Sequence, residues 1–334
     1  MTKPPQESTL VDGFGRVHTS LRVSVTDRCN LRCTYCMPAE AVFRPREELL
    51  TFEEITRVVE IAAGYGVSKL RLTGGEPLLR AGLHKLISML RGVQAIEEIA
   101  LTTNGLLLPE QARPLADAGL DRLNVSLDAV AEEAFQQISR RQGVDRVFAG
   151  IEAAQLAGFK KIRVNAVSLR GLTESQVVPL IEYARSLGLQ LRFIEFMPLD
   201  ADDAWVGSDV LSGDEVRTIA EDAFGPLQPT PGPDSHQPAS DYVLSDGTLI
   251  GFIDSVTQPF CATCNRLRLT AEGQFRNCLF STEDWDVREL LRSVGSDQQI
   301  AEVLRECVRQ KRPAHGIGEA GFQKPERAMY EIGG

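Results

Sequence analysis

Short runs of alternating apolar and polar residues recur along the first two thirds of the chain, separated by longer runs with helical spacing. The alternating runs are Leu21–Thr26, Lys69–Gly74, Ile99–Thr103, Arg122–Asp128, Lys161–Leu169 and Gln190–Pro198. A period of two predicts a strand for each. Helical spacing covers Phe52–Tyr65, Leu83–Arg91, Glu110–Ala118, Arg146–Ala157 and Glu174–Leu187, with Pro109 near one start and Gly119, Gly158 and Gly188 after ends. Alternating strands and helices predict a parallel sheet. Six such units predict an α/β fold with a partial (βα)6 TIM-type barrel, whose active-site loops lie at the C-terminal strand ends. An open doubly wound sheet is the alternative, but no glycine-rich dinucleotide fingerprint follows the first strand.

The polar half of the alternation carries its own message. Arg22, Ser24 and Thr26 share one face of the first strand; Arg71 and Thr73, Asn124 and Ser126, and Arg163 and Asn165 do so on later strands. With the apolar faces buried against helices, these side chains turn inward and predict a wet, arginine-bearing cavity where an ordinary barrel is filled with Val, Ile and Leu. Polar faces turned to solvent would suit an antiparallel sheet better.

Residues 1–225 are therefore expected to form the barrel behind a polar arm (1–20), closing with a helix at Asp214–Phe224. Four prolines between Gly225 and Pro233 predict a linker. Beyond it, residues 226–334 predict a smaller C-terminal α+β domain. Its Tyr242–Leu244 and Thr248–Ile253 segments flank an Asp246-Gly247 turn, and helical pattern runs to about Lys311.

Composition acts by exclusion. A net charge of −10 argues against a nucleic-acid binder, which needs a basic surface. No run reaches the roughly 18 apolar residues of a membrane helix, and the N-terminus has no apolar signal region. A cytoplasmic location is expected, where disulfides are rare. Six of the seven cysteines nevertheless fall into two triplets, Cys29, Cys33, Cys36 and Cys261, Cys264, Cys278. Cys307 lies in a helical pattern and is expected to be a buried thiol. A structural zinc site wants four closed ligands, and neither triplet has an adjacent fourth. Iron–sulfur cubes are normally held by four thiolates, so each triplet would leave one iron open.

The spacing C-x3-C-x2-C, with Tyr35 before its last cysteine, resembles the radical S-adenosylmethionine (SAM) enzymes. Thr73-Gly74-Gly75-Glu76-Pro77 at the end of the second strand resembles their GGEP motif. The second triplet, in Cys261-Ala-Thr-Cys264-Asn-Arg266-Leu-Arg268 and Cys278, is similar to the GTP 3′,8-cyclase family, which opens molybdenum cofactor biosynthesis. Asp12–Arg16, Thr102–Gly105, Val125–Asp128, Phe196–Pro198 and the Gly333-Gly334 end share that similarity.

The resemblance implies two 4Fe–4S clusters and SAM as cofactors. It implies reductive cleavage of SAM to a 5′-deoxyadenosyl radical, abstraction of H3′ of GTP, and C3′–C8 cyclisation to 3′,8-cyclo-7,8-dihydro-GTP. Cys29, Cys33 and Cys36 would hold the first cluster, and Cys261, Cys264 and Cys278 the second. Tyr35, Gly75, Glu76, Ser126 and Met197 would contact SAM. Arg22, Arg71, Thr102, Arg163, Arg266 and Arg268 would bind GTP. Arg163 stands where the family usually has lysine, exchanging a point charge for a planar fork. Gly333 and Gly334 would enter the active site, although a terminal diglycine alone reads as a frayed end. Implied partners are a flavodoxin-like or ferredoxin-like electron donor, the next molybdopterin-pathway enzyme and a second copy of the chain.

Two other readings compete. A non-catalytic iron–sulfur or zinc protein, such as a redox sensor, would need fully ligated metals. A peptide-modifying radical enzyme would usually carry more C-terminal cysteines and would leave Arg266 and Arg268 without an anionic partner.

Overall fold

The computed structural model describes residues 9–231 and 236–333. Strands β1 (Ser20–Ser24), β2 (Lys69–Thr73), β3 (Glu98–Thr103), β4 (Arg122–Ser126), β5 (Ile162–Ser168) and β6 (Gln190–Glu195) fall where the alternation predicts them. Between them run α1 (Phe52–Gly64), α2 (Leu83–Arg91), α3 (Leu108–Asp117), α4 (Glu132–Ser139), α5 (Val144–Leu156) and α6 (Val177–Ser186). Local chemistry sets several ends. Thr51 and Glu54 form a reciprocal capping box at α1, and Pro109 occupies the first turn of α3.

The six strands lie side by side in chain order and are all parallel. Right-handed crossovers then place every connecting helix on one side. The core is built there: Leu21, Val23, Leu70, Leu72, Leu123, Val125 and Val164 are buried with Val58, Leu86, Leu115, Ile151 and Ile181 of the helices. The opposite, concave face is left to the polar residues of the alternation. This is the expected partial (βα)6 barrel.

The C-terminal third is built into the same sheet. After α7 (Gly213–Phe224) come β7 (Gln228–Thr230), β8 (Ser240–Val243) and β9 (Leu249–Ile253), and β9 pairs parallel with β6. Then β10 (Arg266–Leu269) crosses to the far edge and pairs parallel with β1, followed by β11 (Gln274–Arg276) and β12 (Trp285–Asp286). The sheet therefore has twelve strands, extended at both edges by the C-terminal segment. Helices α8 (Arg288–Arg292), α9 (Asp297–Arg309) and α10 (Met329–Ile332) complete the described chain.

Two local expectations are corrected. Part of the proline-rich linker is β7, an edge strand antiparallel to β8, where proline's missing donor is tolerated; residues 232–235 lie outside the described residues. The described part of the polar arm, residues 9–20, is also packed: Leu10 and His18 are buried, Val11 bridges Val17, and Asp12 pairs with Arg16 at 2.6 Å. Asp12 accepts from Arg16 and pairs with His18, so polarity there does not signal exposure. Among the described residues, no helix is long and apolar enough to cross a membrane.

Candidate active site

The first thiol triplet sits on the loop leaving β1, joined through backbone to the segment after β2. The Gly75 N–H donates to the Thr26 carbonyl at 2.8 Å, and the Glu76 N–H to the Arg28 carbonyl at 2.7 Å. A Cβ on Gly75 would lie 2.5 Å from the Arg28 carbonyl oxygen, so only glycine permits this approach. The two motifs are thus one backbone unit.

Glu76, one of the expected SAM contacts, is also tied into the protein itself. It is 1% exposed, and its carboxylate accepts from Leu78 N (2.9 Å), Thr103 Oγ1 (2.7 Å) and Asn104 N (2.7 Å). It braces the loops after β2 and β3, and burial pushes its pKa up to about 7 against those donors. Tyr35 is likewise anchored, its hydroxyl donating to Asp128 Oδ2 at 2.7 Å, while Asp128 Oδ1 accepts from Val167 N at 2.8 Å. Burial raises the Tyr35 hydroxyl well above its ordinary range and pushes Asp128 up to about 6. Tyr35→Phe removes the hydroxyl and is expected to cost about 1 kcal/mol of loop anchoring. The cost should appear as a several-fold weaker SAM affinity in equilibrium dialysis of the reconstituted protein, with the same iron content.

Sequence register assembles the concave face. Arg22 of β1 lies between Arg71 of β2 and Arg268 of β10. Arg266 is beside Ser20 on that same edge. Two residues deeper, Ser24 faces Thr73. Farther round, Thr102, Asn124 and Arg163 share a row, as do Ser126, Asn165 and Arg192.

Arg22 and Arg71 are enclosed in the wall yet partly open on this face. Among the described residues, neither takes a hydrogen bond or a carboxylate partner. Burial, and then the neighbouring guanidiniums, holds both well below the ordinary arginine range. Arg268 is pushed down to about 9 for the same reasons. Thr102 Oγ1 is buried with no partner among the described residues. Arg163 is partly engaged, its Nε donating to Gln190 Oε1 at 2.6 Å. Such an array of unpaired cations suits a polyanion.

The thiols also differ between the loops. Burial raises Cys29 to about 11, and lifts Cys33 and Cys36 as well. Burial raises Cys261 too, but at Cys264 the charges of Arg266 and Lys311 outweigh burial and bring it to about 6.

Both sets fit a thiolate-bound cluster, because donors point at their sulfurs. Leu31 N lies 3.4 Å from Cys29 Sγ, and Phe280 N lies 3.5 Å from Cys278 Sγ. Backbone N–H groups of Tyr330 and His315 serve Cys36 and Cys261. Such outer donors stabilise thiolate ligands. Among the described residues, no three metal-ligating side chains close on a single ion.

Helix α10 lies between the two loops. Ala328 and Tyr330 pack with Met37, Cys29 and Cys36, while Ile332 packs with Leu199, Phe280, Met197 and Cys278. Gly333 then enters the concave face, its carbonyl accepting from Arg268 and its Cα beside Ser24 and Thr73. The structure thus brings the predicted Gly333, Met197, Arg268 and both triplets into one region. Gly334 lies outside the described residues.

Sequence reasoning missed Arg192, which is buried in a pair with Asp241 (3.3 Å) on the same face, and Asp128 beneath Tyr35. Strand periodicity could have found Arg192, two residues along from Gln190. Nothing local marks Asp128 as the Tyr35 partner.

Residues 23–184 match the family described as the radical SAM superfamily, and residues 189–317 the one described as Molybdenum Cofactor Synthesis C. A GTP 3′,8-cyclase of Rhodopirellula baltica is 50% identical over 331 residues, covering 97% of this chain and 92% of that protein. The chain belongs to the GTP 3′,8-cyclase family.

Other members of the GTP 3′,8-cyclase family agree along nearly the whole length. The Corynebacterium glutamicum protein is 43% identical over 345 residues, covering 99% of this chain and 91% of its own. GTP 3′,8-cyclase 2 of Mycobacterium tuberculosis is 44% identical over 337 residues, covering 99% and 93%. Streptococcus suis SuiB bound to S-adenosylmethionine shares the fold with a TM-score of 0.60 at 15% identity, over 86% of this chain and 67% of that one. Native anSMEcpe with bound AdoMet does so with 0.61 at 16%, over 89% and 82%. Membership of the radical SAM superfamily brings a 4Fe–4S cluster and SAM as cofactors.

Proposed function

We propose that this chain is a GTP 3′,8-cyclase that joins C3′ of the ribose to C8 of guanine in the first step of molybdenum cofactor biosynthesis. The observation that carries this reading is the row Arg268, Arg22 and Arg71, in register and without a carboxylate partner among the described residues, beside two thiol loops joined by one helix. A triphosphate supplies the missing negative charge, whereas a peptide substrate does not.

Cys29, Cys33 and Cys36 would hold one cluster, and Cys261, Cys264 and Cys278 a second. When bound, the first cluster and SAM supply the hydrogen-abstracting chemistry. The chain's own groups position and enclose. Gly75 brings backbone to the SAM side, Ser126 and Met197 border it, and Tyr35 is locked by Asp128. Arg22, Arg71, Arg266 and Arg268 orient the phosphates, with Thr102 and Arg163 on the neighbouring row. Gly333 closes the space and excludes water, a role that the family resemblance extends to Gly334. In this reading residues 1–225 generate the radical, and residues 226–334 hold the second cluster and the substrate. The reading also includes a cytoplasmic location, a flavodoxin-like or ferredoxin-like electron donor, a homodimer, and product transfer to the next molybdopterin-pathway enzyme.

Anaerobic reconstitution followed by turnover of GTP deuterated at C3′ tests the proposal. About eight irons per chain, two cubes' worth, and deuterium in 5′-deoxyadenosine are expected. SAM cleavage indifferent to GTP would rule the reading out.

A further inference from the structure

Lys311, just beyond α9, is 4% exposed, and among the described residues it has no carboxylate partner. Its ammonium donates to the Arg266 carbonyl at 2.8 Å, to the Asn277 carbonyl at 2.5 Å and towards Cys264 Sγ at 3.6 Å. An ammonium has three protons, so all three are committed. Their acceptors belong to the segment that carries the second triplet: Cys264 itself, the residue two beyond it, and the residue before Cys278.

The remaining corner is held from the same side. Arg16 donates to the Cys261 carbonyl at 2.8 Å, and also to the carbonyls of Arg312 (2.7 Å) and Pro313 (3.0 Å). One guanidinium therefore ties the Cys261 loop to the chain immediately after Lys311. Buried Asp12 neutralises Arg16, but no carboxylate neutralises Lys311. Burying an ammonium without a counter-ion is unfavourable. Thiolates around an iron–sulfur cube carry a net negative charge that grows by one on reduction. Charge and hydrogen bonds to sulfur are two of the factors that set a cluster's potential.

We propose that Lys311 is the positioning residue of the second cluster: its buried ammonium fixes the Cys264 and Cys278 corners and raises that cluster's reduction potential. This inference rests on the two-cluster reading above. Full-length wild-type protein, Lys311→Met and Lys311→Arg are reconstituted and compared by iron content, thermal melting and a dithionite titration followed by electron paramagnetic resonance.

At the wild-type midpoint, Lys311→Met should lower the reduced-to-oxidised ratio of the second cluster about tenfold, which is about 59 mV for one electron. The first cluster should be unmoved, and Lys311→Arg should restore most of the shift. Selective loss of about four irons in Lys311→Met, with native melting and retention in Lys311→Arg, would equally support the role. Both variants holding about eight irons at the wild-type potential would overturn it. So would an equal loss of melting transition in both, the mark of a merely structural lysine. Wild-type protein with only about four irons would instead remove the two-cluster reading, and the inference with it.

Discussion

Gly333→Val is expected to abolish turnover while leaving iron content and melting temperature close to wild type. Gly333 has φ +82°, a left-handed conformation that disfavours a β-branched residue by about 1–2 kcal/mol. Space opposes the change as well. A Cβ there would lie 2.9 Å from both Ser24 Cβ and Thr73 Cγ2, which belong to adjacent strands of the packed wall. The tail must therefore withdraw, breaking the contact between its carbonyl and Arg268. Misplacement by about 1 Å can cost on the order of 100-fold in rate, and expulsion should cost at least that. The fold should survive, because Gly333 lies beyond α10 and outside the buried apolar clusters. A rate assay beside iron counting and a thermal melt checks this. Wild-type turnover by Gly333→Val would mean that the tail takes no part.

The barrel was legible in sequence because strand alternation is a local signal. A period of two also placed Arg22, Arg71, Arg163, Arg266 and Arg268 on correct faces. Long-range pairing was not legible. Nothing near Arg268 says that β10 joins β1 across the chain, which is what aligns Arg268 with Arg22. For the same reason the C-terminal third looked like a separate unit, although its strands extend the barrel sheet at both edges. Local motif reading also could not show the protein partners of Glu76, because Thr103 and Asn104 come from the next strand end. In the sequence Lys311 marks only the end of a helical pattern. Only packing brings it against three acceptors of the second thiol loop. The N-terminal arm failed similarly, because Asp12, Arg16 and His18 are buried by pairing with one another.

Arg71→Met should make the ligand-free protein more heat-stable and its substrate binding much weaker. Arg71 stands directly beside Arg22 in register, and Arg268 follows on the next strand. Burial and the charges of Arg22 and Arg122 both disfavour its charged form. No carboxylate among the described residues offsets that repulsion. Met keeps much of the side chain's apolar length and removes the charge, so a relief of about 1 kcal/mol is expected, roughly 2 °C in melting temperature for a chain this long. The same change removes a charge-assisted donor to phosphate, worth about 1.5–3 kcal/mol. GTP affinity should consequently fall about 10- to 100-fold. Ligand binding raises apparent stability by mass action, so the two effects separate in one experiment. Without GTP the variant should melt above wild type; with GTP near the wild-type dissociation constant or moderately above it, the wild type should gain and the variant should scarcely move. A variant that melts lower alone and gains as much from GTP would show Arg71 to be a packing residue. The repulsion stored in the Arg22, Arg71 and Arg268 row is thus the physical counterpart of its affinity for a triphosphate: cations left unpaired in the free protein are the ones available to the substrate.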